Sequence, residues 1–154
     1  SNDLADNEVS IFKSRFKTFT IEKEKYVSKI SCRIKSIDKK IGNKLFLYKP
    51  EGKLKIRISH GDLIHKNILR TNSAKIYLID FEFTAYRSFL YDDLFVLYYN
   101  DREGFYKGER NFYRYLFAIE RLFLVLRLQN ELKISYSSEV DSLVSYIETY
   151  RSEF

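Results

Sequence analysis

The sequence predicts an α+β fold, mainly helical, with a small β-hairpin set between two helical stretches. Three observations carry that reading. Apolar residues recur at helical spacing, as in Ile30, Ile34, Ile37 and Ile41, which sit four, three and four apart. In the middle of the chain Leu54, Ile56 and Ile58 alternate with polar residues, which is the period of a strand. Only one proline and five glycines occur in 154 residues, which leaves little room for linkers. With 45% hydrophobic and 17% aromatic residues the chain buries a real core and is not disordered by composition. This length makes one domain, or one lobe of a two-lobed protein.

Taken in order, Val9, Phe12, Phe16 and Phe19 recur at helical spacing. Thr20 reads as the N-cap of the next helix, with Glu22 and Glu24 in the first turn where the helix dipole favours them. That helix carries the isoleucine stripe and is expected to stop at Gly42-Asn43. Lys49-Pro50-Glu51-Gly52 is a turn. The alternating strand then delivers the chain to His60. Residues Asn67 to Arg70 and Lys75 to Ile79 read as two short strands joined by Thr71-Asn72-Ser73-Ala74. After Asp80 comes an irregular stretch, then helices at about 90–100, about 109–132, and from Ser137-Ser138 to about Arg151. No internal repeat or low-complexity segment is present.

Charge and composition exclude several functions. The net charge of +6 favours anionic partners. The basic residues alternate with acidic ones rather than forming a stripe, and no nucleic-acid motif accompanies them, so a nucleic-acid partner is not expected. The most apolar run, Tyr115 to Leu128, is broken by Glu120, Arg121 and Arg127, so no membrane span is expected. Cys32 is the one cysteine and reads as a packing residue; no disulfide forms within the chain, which fits a reducing, cytoplasmic setting. His60 and His65, five apart, do not share a helix face, which argues against a metal hydrolase.

The chemistry concentrates in Ile58-Ser-His-Gly-Asp-Leu-Ile-His-Lys-Asn-Ile-Leu69 and Leu78-Ile-Asp-Phe-Glu-Phe83. A hairpin between them folds the chain back and brings Asp62, Asn67 and Asp80 to one rim. Two carboxylates and an amide oxygen are hard ligands of the kind that suit Mg²⁺ with bound phosphates. Phosphoryl transfer asks for this set: metals that neutralise phosphate charge, and a carboxylate that orients the attacking hydroxyl.

The order and spacing resemble the catalytic core shared by protein kinases and the aminoglycoside/choline-kinase-type small-molecule phosphotransferases. The protein-kinase pattern is H-R-D-x-x-x-x-N followed by D-F-G. Here the two elements read His60-Gly61-Asp62-Leu-Ile-His-Lys-Asn67 and Asp80-Phe81-Glu82. Glycine in place of arginine and glutamate in place of glycine look like the small-molecule branch. Tyr91-Asp92-Asp93-Leu94 resembles the Asp-Leu pair that follows the metal-binding aspartate there. The resemblance is clear from about Ile56 to Leu97 and implies the C-terminal lobe of a protein-kinase-like fold: helices over 1–53, catalytic loop and hairpin over 54–83, helices over 84–154.

The resemblance also implies roles. Asp62 is the catalytic base; Asn67 and Asp80 hold Mg²⁺ on the phosphates of ATP. His60 packs under the loop, and Asp93 braces it through backbone N–H groups. Lys66 is a candidate to neutralise charge on the transferring group. His65 and Glu82 are candidates for substrate contact or loop support. A complete kinase also needs an upstream lobe with a glycine-rich loop and a strand lysine. No G-x-G-x-x-G and nothing like V-A-I-K occurs here. The chain is therefore expected to be a fragment whose N-lobe is supplied in cis or by a partner chain, and to be inactive alone. The competing expectation is a kinase-like interaction module, a pseudokinase. Arg110, Arg114 and Arg121 are expected on one face of the long helix. Carboxylates suited to a polycationic aminoglycoside are not concentrated there. The acceptor is therefore expected to be a sugar, lipid-linked sugar or amino-alcohol.

Overall fold

A computed structural model describes residues 18–45 and 49–152, and at 151 and 152 the backbone alone. Strand β1 (Phe19–Glu22) leads directly into helix α1 (Lys23–Ile37), followed by α2 (Lys39–Leu45) and β2 (Lys53–Ser59). A 3₁₀ turn (His65–Asn67) opens a hairpin of β3 (Ile68–Arg70) and β4 (Ile76–Leu78). Then come β5 (Ala85–Ser88), α3 (Tyr91–Asn100), α4 (Arg102–Lys107), α5 (Phe112–Leu132) and α6 (Ser137–Ser152). The fold is α+β and mainly helical. The helical spacing read in Val9, Phe12 and Phe16 lies outside the described residues.

The helical stripe buries Tyr26, Val27, Ile30 and Ile34 on one face of α1, against α2 and α5. It does not start at Thr20, which pairs with Lys55 in the sheet; Phe19 likewise pairs with Ile56. Tertiary pairing with β2 outweighs the capping preference of a threonine. Nor does the helix run to Gly42. Asp38 ends α1, donating its N–H to the Ile34 carbonyl at 2.8 Å, and then caps α2 by accepting from the Ile41 N–H at 3.0 Å. Gly42 lies inside α2 for a steric reason: a Cβ there would stand 2.6 Å from the Lys35 Cα. It is a close-approach residue between two helices, not a stop signal. Cys32, expected to pack, is exposed.

The sheet has the order β1-β2-β5, all antiparallel. β5 was not anticipated in the irregular stretch after Asp80; it pairs Ile56 with Ser88 and Ile58 with Tyr86. The separate β3–β4 hairpin pairs Ile68 with Leu78 and Arg70 with Ile76, joined through Thr71–Ala74 as expected.

The anticipated helix from about 109 begins at Phe112, because the Asn111 side chain accepts the Arg114 N–H at 3.0 Å. A short helix, α4, precedes it, capped by Asp101 on Gly104 N–H at 2.9 Å. Arg110 thus lies outside α5 and does not share a face with Arg114 and Arg121. The arginines are structural. Arg114 donates to the Phe105 carbonyl at 2.8 Å, and Arg121 pairs with Glu139 of α6 at 2.9 Å. Tyr91, Phe95, Tyr98, Phe105 and Phe117 are buried as one aromatic cluster, with Phe105 and Phe117 centroids 5.2 Å apart. Each fully buried ring of this kind contributes about 1.5–3 kcal/mol. The core therefore sits among α1, α3, α5 and α6, and the sheet and hairpin stand on it.

Candidate active site

β2 brings Ser59 and His60 out of the sheet, and Gly61 turns the chain with φ of +85°. A side chain at 61 would be strained by that φ and would collide with the Phe83 carbonyl oxygen. The His60 ring is buried. Its Nδ1 accepts from the Asp62 N–H at 3.2 Å, which places the proton of the neutral ring on Nε2. Nε2–H then donates to the Ile79 carbonyl at 2.8 Å, and the ring leans on Phe81 with centroids 5.0 Å apart. One imidazole therefore ties the 60–62 turn to the segment that carries Asp80.

Asn67 is the second tie. Its buried Nδ2 donates to the Asp62 carbonyl at 2.8 Å and to the Asp62 carboxylate at 3.1 Å. Its own carbonyl accepts the Ile79 N–H at 3.0 Å. With the amide nitrogen committed to Asp62, Oδ1 keeps both lone pairs for another partner. Asp80 is exposed and sits in the left-handed region at φ 61°. Aspartate tolerates that region better than most residues, at a cost of about 1–2 kcal/mol. Hydrogen bonds thus join His60, Asp62, Asn67 and the backbone of Ile79, and Asp80 follows directly.

The carboxylate that braces the loop is Asp92, not Asp93. Asp92 accepts the His60 N–H at 2.9 Å and the Gly61 N–H at 3.1 Å. Asp93, one position on, is turned about 100° around α3. Its side chain is 70% exposed and lies 3.7 Å from Arg57. The Asp-Asp pair was visible in the sequence; which of the two faces the loop was decided by the phase of α3 against β2. His65, Lys66 and Glu82 are exposed, and among the described residues no hydrogen bond or ion pair joins them to this set.

Sequence reasoning missed Arg87 and Glu120. Arg87 is buried and donates to Ser59 Oγ at 2.7 Å and the Phe83 carbonyl at 2.9 Å. Glu120 is 3% exposed, and its two oxygens accept the Ser88 N–H at 3.2 and 3.3 Å. Burial pushes its carboxyl up to about 7, against the opposing pull of Ser88 and Arg87. A charge within an apolar run, as Glu120 is between Tyr115 and Leu128, was the available signal.

A cavity of about 380 Å³ lies behind the loop, lined by Arg57, His60, Leu63, Phe81, Phe89 and Asp93 among others. Asp62, Asn67 and Asp80 are not among its walls. Among the described residues no group of three or more His, Cys, Asp or Glu converges on a metal position. An amide oxygen and a carboxylate are too few to hold Mg²⁺ alone. They suit a Mg²⁺ that keeps waters and is held chiefly by substrate phosphates, so the donor set fits the ion. Among the described residues no helix is long and apolar enough to cross a membrane.

Neither a curated protein nor a solved structure matches the chain. The profile of the choline/ethanolamine kinase family matches residues 4–150. That match spans nearly the whole chain, including the His60–Asp62 turn and the segment that carries Asp80, and it agrees with the small-molecule branch indicated by Gly61 and Glu82. The chain belongs to the choline/ethanolamine kinase family of small-molecule kinases.

Proposed function

We propose that the chain carries the catalytic half of an ATP-dependent phosphotransferase acting on the hydroxyl of a small amino-alcohol. The observation that carries the reading is the Asp62–Asn67 contact of 3.1 Å, set one hydrogen bond from the backbone that leads into Asp80. Family membership favours the amino-alcohol over the sugar or lipid-linked sugar also compatible with the sequence.

Asp62 is the base. Asn67 holds one of its oxygens, which orients the carboxylate and leaves the other to accept the proton of the acceptor hydroxyl. Asn67 Oδ1 and Asp80 would hold Mg²⁺ on the nucleotide phosphates, where the ion neutralises phosphate charge. His60 and Asp92 keep the 60–62 turn rigid. Lys66, exposed beside this turn, is assigned to charge on the transferring group, and His65 and Glu82 to its surroundings. Ile76 and Tyr77 of the hairpin are 67% and 50% exposed, and Leu69 and Phe81 near them are exposed too. A lobe supplied in cis or by a partner chain would cover these exposed apolar residues and complete the nucleotide site.

The second reading is a kinase-like interaction module without catalysis. It is favoured by the absence of a glycine-rich phosphate loop from these 154 residues. Calorimetric titration with Mg-ATP and a phosphotransfer assay with choline and ethanolamine, run on this chain and on the longest natural form of the protein, separate the two. The expected result is very weak binding by this chain, and turnover in the longer form that Asp62→Asn and Asp80→Gly abolish. Asp80→Gly relieves the left-handed strain, so its loss of activity is not unfolding. Full activity in Asp62→Asn would overturn the enzyme reading.

A further inference from the structure

Arg87 is a buried cation beneath the His60-Gly61 turn. It is 8% exposed. Among the described residues no carboxylate lies within ion-pair distance of it. Burying an unpaired charge is expensive unless several hydrogen bonds replace its water. Arg87 has these: Nη1 donates to Ser59 Oγ and to the Phe83 carbonyl, and the guanidinium lies over the Tyr91 ring at 4.7 Å. Ser59 Oγ in turn donates to the Ala85 carbonyl at 3.1 Å.

The two acceptors belong to the two loops that matter. Ser59 is the residue before His60-Gly61-Asp62. Phe83 lies three residues past Asp80. A Cβ on Gly61 would stand 2.7 Å from Arg87 Nη1. Glycine at 61 therefore leaves room for a guanidinium that arrives from the neighbouring strand. β5 itself is anchored from below, because the Ser88 N–H is held by Glu120 of α5.

We propose that Arg87 is a positioning residue whose guanidinium clips the Asp80–Thr84 loop to the Ser59–Asp62 turn, and so sets the separation of the Asp62 and Asp80 carboxylates. Its consequence for catalysis rests on the phosphotransfer reading; the clip does not. A flat fork with several donors can bridge two acceptors on different loops, which the single ammonium of lysine does less well.

The test is residue-resolved amide hydrogen exchange on the whole chain for Arg87→Met, Arg87→Lys and Ser59→Ala, with urea unfolding and Mg-ATP titration alongside. The amides of Gly61, Asp62 and Thr84 are the reporters, since each is hydrogen-bonded in the fold. The expected result is exchange at these three faster by about tenfold or more in Arg87→Met, with α5 and α6 within about twofold of the parent chain. Arg87→Lys should restore part of the protection, and Ser59→Ala should loosen the Gly61 and Asp62 amides alone. Uniformly faster exchange that tracks a lower urea midpoint would overturn the proposal, because a merely structural cation does that. Unchanged exchange at the three reporters would overturn it too. If Arg87→Met does not fold, Ser59→Ala decides: unchanged Gly61 and Asp62 amides refute the clip. Loop-selective loosening in a chain whose longer form neither binds Mg-ATP nor transfers phosphate would sustain the clip and reject the phosphotransfer reading.

Discussion

Replacing Glu120 by glutamine should make the protein more stable, by an amount that grows from pH 4.5 to about 7 and then levels off. Glu120 lies on α5 beneath the sheet and is 3% exposed. The groups that face it are Ser88 and Arg87 of β5 and Tyr26 of α1. Burial raises its carboxyl from an ordinary 4.5 to about 7. Below pH 4.5 the group is protonated in both folded and unfolded chains, and its contribution is complete. Between 4.5 and about 7 the unfolded chain releases the proton and the folded chain keeps it, so stability falls as pH rises. At roughly 1.4 kcal/mol per pH unit, the full loss is about 3 kcal/mol once pH exceeds 7. Glutamine keeps the shape and keeps an oxygen for the Ser88 N–H, and it has no proton to lose. Arg87 already lives beside a neutral carboxyl at pH 6, so the variant presents it with nothing new. Urea unfolding of both proteins at pH 5, 6, 7 and 8 provides the assay. The Glu120→Gln advantage should be small at pH 5 and approach about 3 kcal/mol at pH 8. An advantage independent of pH, or a variant less stable at pH 8, would refute the reasoning.

Two further outcomes follow from local geometry. Gly61→Ala should cost at least about 2 kcal/mol, since φ is +85° and the Cβ would meet Arg87 and the Phe83 carbonyl; a variant with an unchanged urea midpoint would contradict the turn described. Glu139→Ala should cost about 3–5 kcal/mol, because it leaves the mostly buried Arg121 guanidinium without its 2.9 Å partner and takes the acceptor from Tyr98 Oη at 2.8 Å. A double-mutant cycle with Arg121→Met should recover much of that loss, and strict additivity would show that the two side chains do not interact.

Local signals made the hairpin legible. Thr71 to Ala74 is a turn by composition between two short apolar stretches, and that hairpin survives into the structure. Leu54, Ile56 and Ile58 have a strict two-residue period, and strand β2 survives with it. The motif residues were legible for the same reason: His60, Asp62 and Asn67 lie within eight consecutive positions, and a short polar loop between strands leaves them few places to go. Errors came where a residue's local preference met a distant partner. Thr20 has the chemistry of a cap but pairs with Lys55; Gly42 has the chemistry of a stop but lies against Lys35.

The sequence by itself determined the class of fold, the hairpin, and the order of the residues offered for phosphoryl transfer, because these depend on spacing along the chain. Tertiary structure alone decided that Asp92 rather than Asp93 holds the His60-Gly61 turn, that Arg87 and Glu120 stand beneath it, and that the arginines of α5 serve packing. The physical reason is that helix phase and sheet register place partners about thirty residues apart within hydrogen-bond reach, and no local pattern encodes that distance.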